Sequence, residues 1–348
     1  MEPQSTITPE PFPTSKPSPS LPSLVLDNST STDFNIDIIA ANDLISTANH
    51  IYAFLAALSL VSACFLLYSF TQTYKAQRRM AWLDCLFGTF CGSQLLLVLL
   101  SLWSVAYRPF YLPAPQLACA ALSFSVNVAS LCGLLLLALM AYVLTFDPPS
   151  HALLRRPGVS VSLVALASVP SSVVLAAVRW PGQEGTHCIV DPLANGLSYA
   201  LAKLCLSFIV PCFLLLGLLI AGCVHQWKSR GRFLSGSEEG PVFLTLAVVL
   251  LFCQLFYDVV LLRGGTGPGE DGMAFRKALL SVAESVLFAG SAVSLLLVLF
   301  LHRSSRDSLK GALRQVRDCC HSLGGTRAHR HITPPHIEIT DTLPDYNS

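Results

Sequence analysis

The sequence predicts an all-α membrane protein, a seven-transmembrane helix bundle followed by a short amphipathic cytoplasmic helix. Of 348 residues, 53% are hydrophobic and 12% are charged, whereas about a quarter of the residues of an average soluble domain are charged. Seven apolar runs follow one another, each long enough to cross a hydrocarbon core that needs ~20 helical residues. A basic amphipathic stretch comes directly after the seventh run. We therefore expect a multi-pass membrane protein with no nucleic-acid partner.

The segment before the first run, residues 1–49, predicts a disordered tail. It is rich in Pro, Ser and Thr and contains no sustained apolar run. Because it has no basic start followed by an apolar stretch, we expect no cleavable signal peptide, and the first span is predicted to act as the targeting signal. Asn28-Ser29-Thr30 is an acceptor triplet for N-linked glycosylation, which requires that this tail is outside the cell.

The apolar runs set the predicted spans. They are 51–73, 81–106, 119–146, 158–178, 197–223, 242–262 and 278–301. The third span contains no charged residue, and its polar side chains Ser123, Asn127 and Ser130 share one helical face. We expect that face to contact protein, either as hydrogen-bonding residues between helices or as part of a ligand site.

Basic residues are distributed unevenly between the two sides of the predicted bundle. One set of connections, together with the segment after the last span, holds 15 Lys or Arg, and the opposite set holds five. The positive-inside rule then places the N-terminus outside and the C-terminus in the cytoplasm. We expect the protein in the plasma membrane, with Asn28 on the side where glycans are added.

The segment after the last span contains a predicted surface helix. Residues 304–317 place Leu, Ala and Val side chains on one side and Lys and Arg on the other, as in helices that lie on membrane lipid. Cys319 and Cys320 follow at once and are either S-palmitoylated or a free cytosolic thiol pair. The predicted organisation is a tail (1–49), a bundle (50–302), a surface helix with its cysteine pair (303–320) and a disordered cytoplasmic tail (321–348).

Ionisable side chains within the spans are rare, because each costs at least about 2.5 to 3.5 kcal/mol to insert near the membrane centre. Asp84 lies one turn into the second span, at its cytoplasmic end. There it is either solvated or paired with Arg78 or Arg79 of the preceding connection. We interpret Asp84 as structural.

Three other ionisable residues, Lys203, Asp258 and Glu284, lie one to two turns below the outer surface in the fifth, sixth and seventh spans. In a seven-helix bundle these depths converge on one outward-open cavity, to which Ser123 and Asn127 would contribute. Either Lys203 pairs with Asp258 or Glu284 and fixes helix packing, or the group binds a ligand. Since one lysine does not neutralise two carboxylates, such a site favours a cationic or amine-bearing ligand.

The sequence resembles the rhodopsin-like G-protein-coupled receptors in five features taken together. These are the seven spans, the outside N-terminus, Cys119 at the outer start of the third span, Cys188 after the fourth span and the final cysteine pair. The resemblance covers about 51–320, and Phe208-Ile209-Val210-Pro211 is similar to the Phe-x-x-Pro of the family's fifth helix. It implies a disulfide between Cys119 and Cys188, a bond that an extracellular location permits. It also implies an extracellular ligand and a heterotrimeric G protein, an arrestin or both as partners.

Most of the family's signal-transmission residues are absent. Where the family has Asp-Arg-Tyr, the third span has Val143-Leu144-Thr145 or, in a register three residues earlier, Met140-Ala141-Tyr142, and neither carries the charge pair. The sixth has Asp258 in place of the proline that kinks the helix. Of Asn-Pro-x-x-Tyr in the seventh, only Phe300 resembles the tyrosine. We therefore expect a receptor with weak or constitutive signalling.

No catalytic motif is present. The sequence contains no His-Glu-x-x-His, Gly-x-Ser-x-Gly, phosphate loop or Cys-x-x-Cys. We expect no enzymatic activity, no cofactor and no metal ion. The alternative functions are a receptor-shaped, non-signalling membrane scaffold and a seven-span transporter, although no repeat of the transporter kind is visible in the spans.

The topology predicts that Asn28 carries a glycan. A glycosidase that removes N-linked sugar is expected to shift the wild-type band on a gel, and the Asn28→Gln band is expected to stay unshifted. An N-terminal tag should be reached by antibody on intact cells. An unshifted wild-type band would show that Asn28 carries no glycan. A tag that antibody reaches only after permeabilisation would show that the topology is the reverse of the predicted one.

Overall fold

The computed structural model describes residues 28–77, 82–107, 116–145, 157–179, 196–230, 239–266 and 273–324, and within these ranges it contains helices and no strand. The elements are α1 (Asn28–Gln77), α2 (Trp82–Tyr107), α3 (Gln116–Thr145), α4 (Pro157–Arg179), α5 (Gly196–Lys203), a π-helical turn (Leu204–Ile209), α6 (Val210–Arg230), α7 (Gly240–Thr266), α8 (Met273–Leu301) and α9 (Arg303–Gly324). The bundle has two ends, which we call the α9 end and the opposite end.

Seven segments of the described helices are long and apolar enough to cross a membrane. Helices α1 to α4 contain the first four, α5 with the π turn and α6 forms the fifth, and α7 and α8 are the sixth and seventh. Helices are required here because a hydrocarbon core has no water to satisfy exposed backbone groups. The predicted all-α seven-span fold is confirmed, and the chain is a multi-pass membrane protein.

Helix α1 begins at Asn28, well before the first predicted span. Residues 28–49 are helical, so the prediction of a disordered tail is wrong for this part, while residues 1–27 lie outside the described residues. The prolines that suggested disorder all occur at or before Pro22, and none interrupts the helix that follows. Contacts also hold it, since Ala41 is buried and Asn49 Oδ1 accepts a hydrogen bond from Ser285 of α8 at 3.5 Å.

Two apolar clusters form the core. The larger joins α1, α2, α3, α6, α7 and α8, and contains fully buried rings such as Phe87 and Phe243. The smaller joins α5, α7 and α8 through buried side chains that include Tyr199, Tyr257 and Leu280. Because Tyr257 follows Gln254 by three residues and directly precedes Asp258 on α7, the smaller cluster adjoins the polar residues described below.

Helix α9 extends to Gly324, beyond the predicted end at residue 317, and its backbone includes Cys319 and Cys320. Leu309 packs against the larger cluster, whereas Leu313 and Val316 are each 59% exposed. This exposed apolar strip is the surface that a membrane-surface helix would turn toward lipid. The side chains of the two cysteines are outside the described residues, and their lipidation stays a prediction.

Close packing of α3 against α6 depends on one glycine. A Cβ atom on Gly222 would overlap Cγ2 of Thr145, whereas a Cβ atom on Gly217, also on α6, would meet nothing within 4 Å. Small residues at such positions let helix backbones approach in membranes.

Replacing Gly222 with alanine is expected to lower the thermal unfolding midpoint of the protein in detergent. The added methyl group overpacks the contact with Thr145, which costs about 1–3 kcal/mol. Gly217→Ala is the matched control and should leave the midpoint unchanged or raise it, because alanine favours a helix over glycine. Equal midpoints for the two variants would show that α3 and α6 are not packed as described.

Candidate functional site

The fifth span contains a π-helical turn at Leu204–Ile209, where the N–H of Val210 donates to the carbonyl of Cys205 five residues earlier. Pro211 explains the turn, since a proline has no N–H and its ring crowds the carbonyl four residues before it. Single π turns within α-helices are frequent at functional sites. In this one, Ser207 is buried, and its Oγ donates to the Lys203 carbonyl at 2.6 Å.

Gln254 of α7 connects three elements through its side-chain amide. Its Nε2 donates to Ser207 Oγ at 3.2 Å and to Asp258 Oδ2 at 3.1 Å. Its Oε1 accepts from Ser130 of α3 at 3.3 Å. We call these four residues, Ser130, Ser207, Gln254 and Asp258, the Gln254 network. It joins α3, the π turn and α7 inside the bundle.

Lys203 lies next to the network and is held by a tyrosine. Its Nζ donates to Tyr257 Oη at 3.4 Å and lies 4.4 Å from the centroid of the same ring. Within the described residues it forms no ion pair with Asp258 or Glu284, so neither predicted pair is present. Lys203 and Asp258 still attract each other electrostatically at longer range. Asp258 does not contact Lys203 directly because its Oδ2 accepts a hydrogen bond from Gln254, one helical turn earlier.

Lys203 and Asp258 are enclosed by protein, whereas the sequence predicted that they line an outward-open cavity. Lys203 is 7% exposed and Asp258 is 0% exposed. Asp258 Oδ1 is buried and has no hydrogen-bond partner in the described structure. Of the other predicted site residues, Asn127 is buried and hydrogen-bonds to no described residue, while Ser123 and Glu284 are half-buried. The structure therefore brings Lys203 and Asp258 together, with a free carboxylate oxygen inside the bundle.

Sequence reasoning missed three residues of this site. They are Gln254, Ser207 and Tyr257. Helical spacing offered a signal, because Gln254 precedes Asp258 by four residues and Ser207 follows Lys203 by four. A polar residue one turn from a charge within an apolar run is a natural hydrogen-bond partner.

Asp84 also has an unexpected partner. Its Oδ1 lies 3.4 Å from Nε2 of His302, the residue between α8 and α9. Arg78 and Arg79, the predicted partners, lie outside the described residues. The role of Asp84 as a structural residue at the α9 end fits this contact.

The predicted Cys119–Cys188 bond is not tested by these contacts. Cys188 lies outside the described residues, and the side chain of Cys119 is not among those described. The eight cysteines whose side chains are described are free thiols, and all lie in the spans. The disulfide stays a prediction.

Comparison with known proteins shows the fold. No family model and no curated protein sequence matches the chain. A crystal structure of squid rhodopsin matches with a TM-score of 0.57 over 80% of this chain and 87% of that chain, at 14% sequence identity. The protein therefore has a divergent form of the rhodopsin-like G-protein-coupled receptor fold, as its sequence predicted.

The Gln254 network predicts a stability difference between two buried glutamines. Gln254→Leu removes hydrogen bonds from Ser130, Ser207 and the Asp258 carboxylate, and should lower the free energy of unfolding by about 1–3 kcal/mol. Gln94 of α2 is the matched control, since it is 1% exposed and its Oε1 has no hydrogen-bond partner. Gln94→Leu should be neutral or stabilising in the same denaturation experiment. A loss for Gln94→Leu as large as that for Gln254→Leu would contradict the network.

Proposed function

We propose that the protein is a plasma-membrane receptor that couples to a heterotrimeric G protein, an arrestin or both, weakly or constitutively, with its N-terminus outside. The observation that carries this is the structural match of the bundle to squid rhodopsin, which covers 80% of this chain. In this orientation α9 lies on the cytoplasmic membrane surface and contacts anionic lipid through its basic side chains. The Gln254 network then lies between the outer half of the bundle and its cytoplasmic end.

Weak or constitutive coupling is supported by the residues at the positions of the family's switch motifs. Thr145, at the end of α3, is buried, and its hydroxyl donates to the Ala141 carbonyl of its own helix at 2.8 Å. Phe300 of α8 is 57% exposed, so its ring faces away from the core. Helix α7 continues as an α-helix through Asp258, where the family has a kinking proline. These residues offer few state-specific contacts, and a ligand shifts an equilibrium only through such differences.

The ligand proposed for the outer half carries an amine or another cationic group. Asp258 Oδ1 is a buried acceptor without a hydrogen-bond donor, which is a costly arrangement that a ligand ammonium would relieve. Lys203 is held by Tyr257 and does not neutralise this oxygen by direct contact. Asn127, Ser123 and Glu284 are the further residues assigned to the site. A ligand must displace part of the smaller apolar cluster to reach Asp258, since that residue is fully buried.

A non-signalling scaffold is the second candidate, and the same burial favours it. A receptor needs an entrance for its ligand, whereas a scaffold needs only a stable bundle. Direct measurement of coupling discriminates between the two functions.

The test uses reporters of G-protein dissociation and arrestin recruitment in cells that express the chain, with and without tissue extract fractionated for amines. We expect a basal signal above that of untransfected cells and a small response to an active fraction. Asp258→Asn keeps the shape of the side chain and should abolish that response. Asp307→Asn, a change at an exposed acid of α9, should retain it.

Surface expression of each variant is measured in parallel. A chain that reaches the surface and gives no signal in either reporter would remove the receptor proposal in favour of the scaffold. A response retained in Asp258→Asn would remove the proposed ligand site.

A further inference from the structure

A buried ammonium group adjoins two tyrosines of the smaller apolar cluster. Tyr199 and Lys203 are four residues apart on α5 and therefore share one face of that helix. Both side chains are buried, and so is Tyr257 of α7. The side chain of Lys203 thus ends beside phenol rings inside the bundle.

The contacts of the Lys203 ammonium resemble those of a bound cation. Nζ lies 4.4 Å from the centroid of the Tyr257 ring, a distance at which the face of an aromatic ring attracts a cation. Tyr199 interacts electrostatically with the same ammonium. Among the described residues, Nζ donates one hydrogen bond, to Tyr257 Oη at 3.4 Å, although an ammonium has three N–H groups. The ammonium is therefore enclosed and incompletely hydrogen-bonded.

Asp258 supplies the negative charge beside this ammonium. It is fully buried and attracts Lys203 at longer range. Its Oδ2 accepts from Gln254, whereas its Oδ1 has no hydrogen-bond partner in the described structure. A buried carboxylate requires a positive charge or several donors nearby. Asp258 thus keeps one oxygen for a donor that the described part of the chain does not supply.

The separation of the two charges argues against a purely structural ion pair. A buried ion pair stabilises the packing of two helices only when the charged groups are in close, hydrogen-bonded contact. Lys203 and Asp258 instead contact the neutral partners Tyr257 and Gln254. Aromatic rings and a carboxylate around an ammonium are the groups with which proteins recognise amine ligands.

We propose that Tyr199, Tyr257 and Asp258 form an amine-binding subsite and that the chain fills this subsite with its own cation, the ammonium of Lys203. A ligand amine enters only by displacing that ammonium, because two ammonium groups beside one carboxylate repel each other. Lys203 thus lowers the affinity for free amines and selects ligands whose other contacts compensate for the displacement. The inference rests on the proposed function in one respect, the amine chemistry of the ligand.

Truncation of the lysine empties the subsite, which a small amine can then fill. Lys203→Ala removes three methylene groups and the ammonium, and propylammonium has the same three carbons and the same charge. The thermal unfolding midpoint of the full chain in detergent is measured against propylammonium concentration. We expect a saturable rise of the Lys203→Ala midpoint toward that of the wild type, because a ligand that binds only the folded state stabilises it. The wild-type midpoint should not respond, since its subsite is occupied.

Controls separate recognition of the charge from filling of a cavity. Propan-1-ol has the same length without the charge and should bind Lys203→Ala roughly tenfold more weakly, as for loss of a desolvated cation–π contact. Lys203→Met fills the space with an apolar chain and should not respond to the amine. Adding Asp258→Asn to Lys203→Ala should abolish the preference for amine over alcohol. Lys310→Ala, at an exposed lysine of α9, should behave as the wild type.

A Lys203→Ala midpoint that does not respond to propylammonium, or that responds equally to propan-1-ol, would overturn the subsite. If this variant does not fold alone, it is expressed with and without propylammonium in the medium. Folded, monodisperse protein obtained only with the amine supports the subsite, and failure under both conditions overturns it. A failed rescue rejects the subsite and leaves G-protein or arrestin coupling unaffected, whereas silent reporters reject coupling and leave the subsite unaffected.

Discussion

Hydrogen bonds of Gln254 join α3, the π turn and α7 where a membrane offers no water to replace them. The constraint is severe, because a polar group left unpaired in a low-dielectric interior costs more than a hydrogen bond gains. Gln254 satisfies Ser130, Ser207 and one oxygen of Asp258 at once. The π turn caused by Pro211 carries the Ser207 that Gln254 contacts, so a backbone irregularity and a side-chain network support each other.

Ionisable side chains have different kinds of partner at the two ends of the bundle. In the half away from α9, Lys203 and Asp258 are each held by a neutral partner, Tyr257 or Gln254, and attract each other only at longer range. At the α9 end, His302 lies directly between two acids. Both arrangements contact α7 or the residue that precedes it, and α7 is a continuous α-helix through Asp258.

The seven spans could be predicted from the sequence because length and hydropathy are properties of each segment alone. The proximity of Lys203 and Asp258 followed from their depths in those spans, whereas their enclosure by protein did not, since the sequence predicted an outward-open cavity. Their partners did not follow, since helical periodicity shows which face a residue occupies and not which oxygen of a carboxylate is engaged. The early start of α1 was missed because prolines before residue 23 dominated the composition of the whole tail. His302 was missed because it follows the last apolar residue of a span and reads as an ordinary helix end.

The side-chain amide of Gln254 couples α3 to the fifth span, and a double-mutant cycle tests this coupling most directly. Ser130→Ala and Ser207→Ala are made singly and together, and the free energy of unfolding is measured in bicelles. The two serines both bond Gln254, so their effects should depart from additivity by about 0.5 kcal/mol or more, and the departure should vanish in a Gln254→Leu background. Strictly additive effects in the wild-type background would show that no shared network exists.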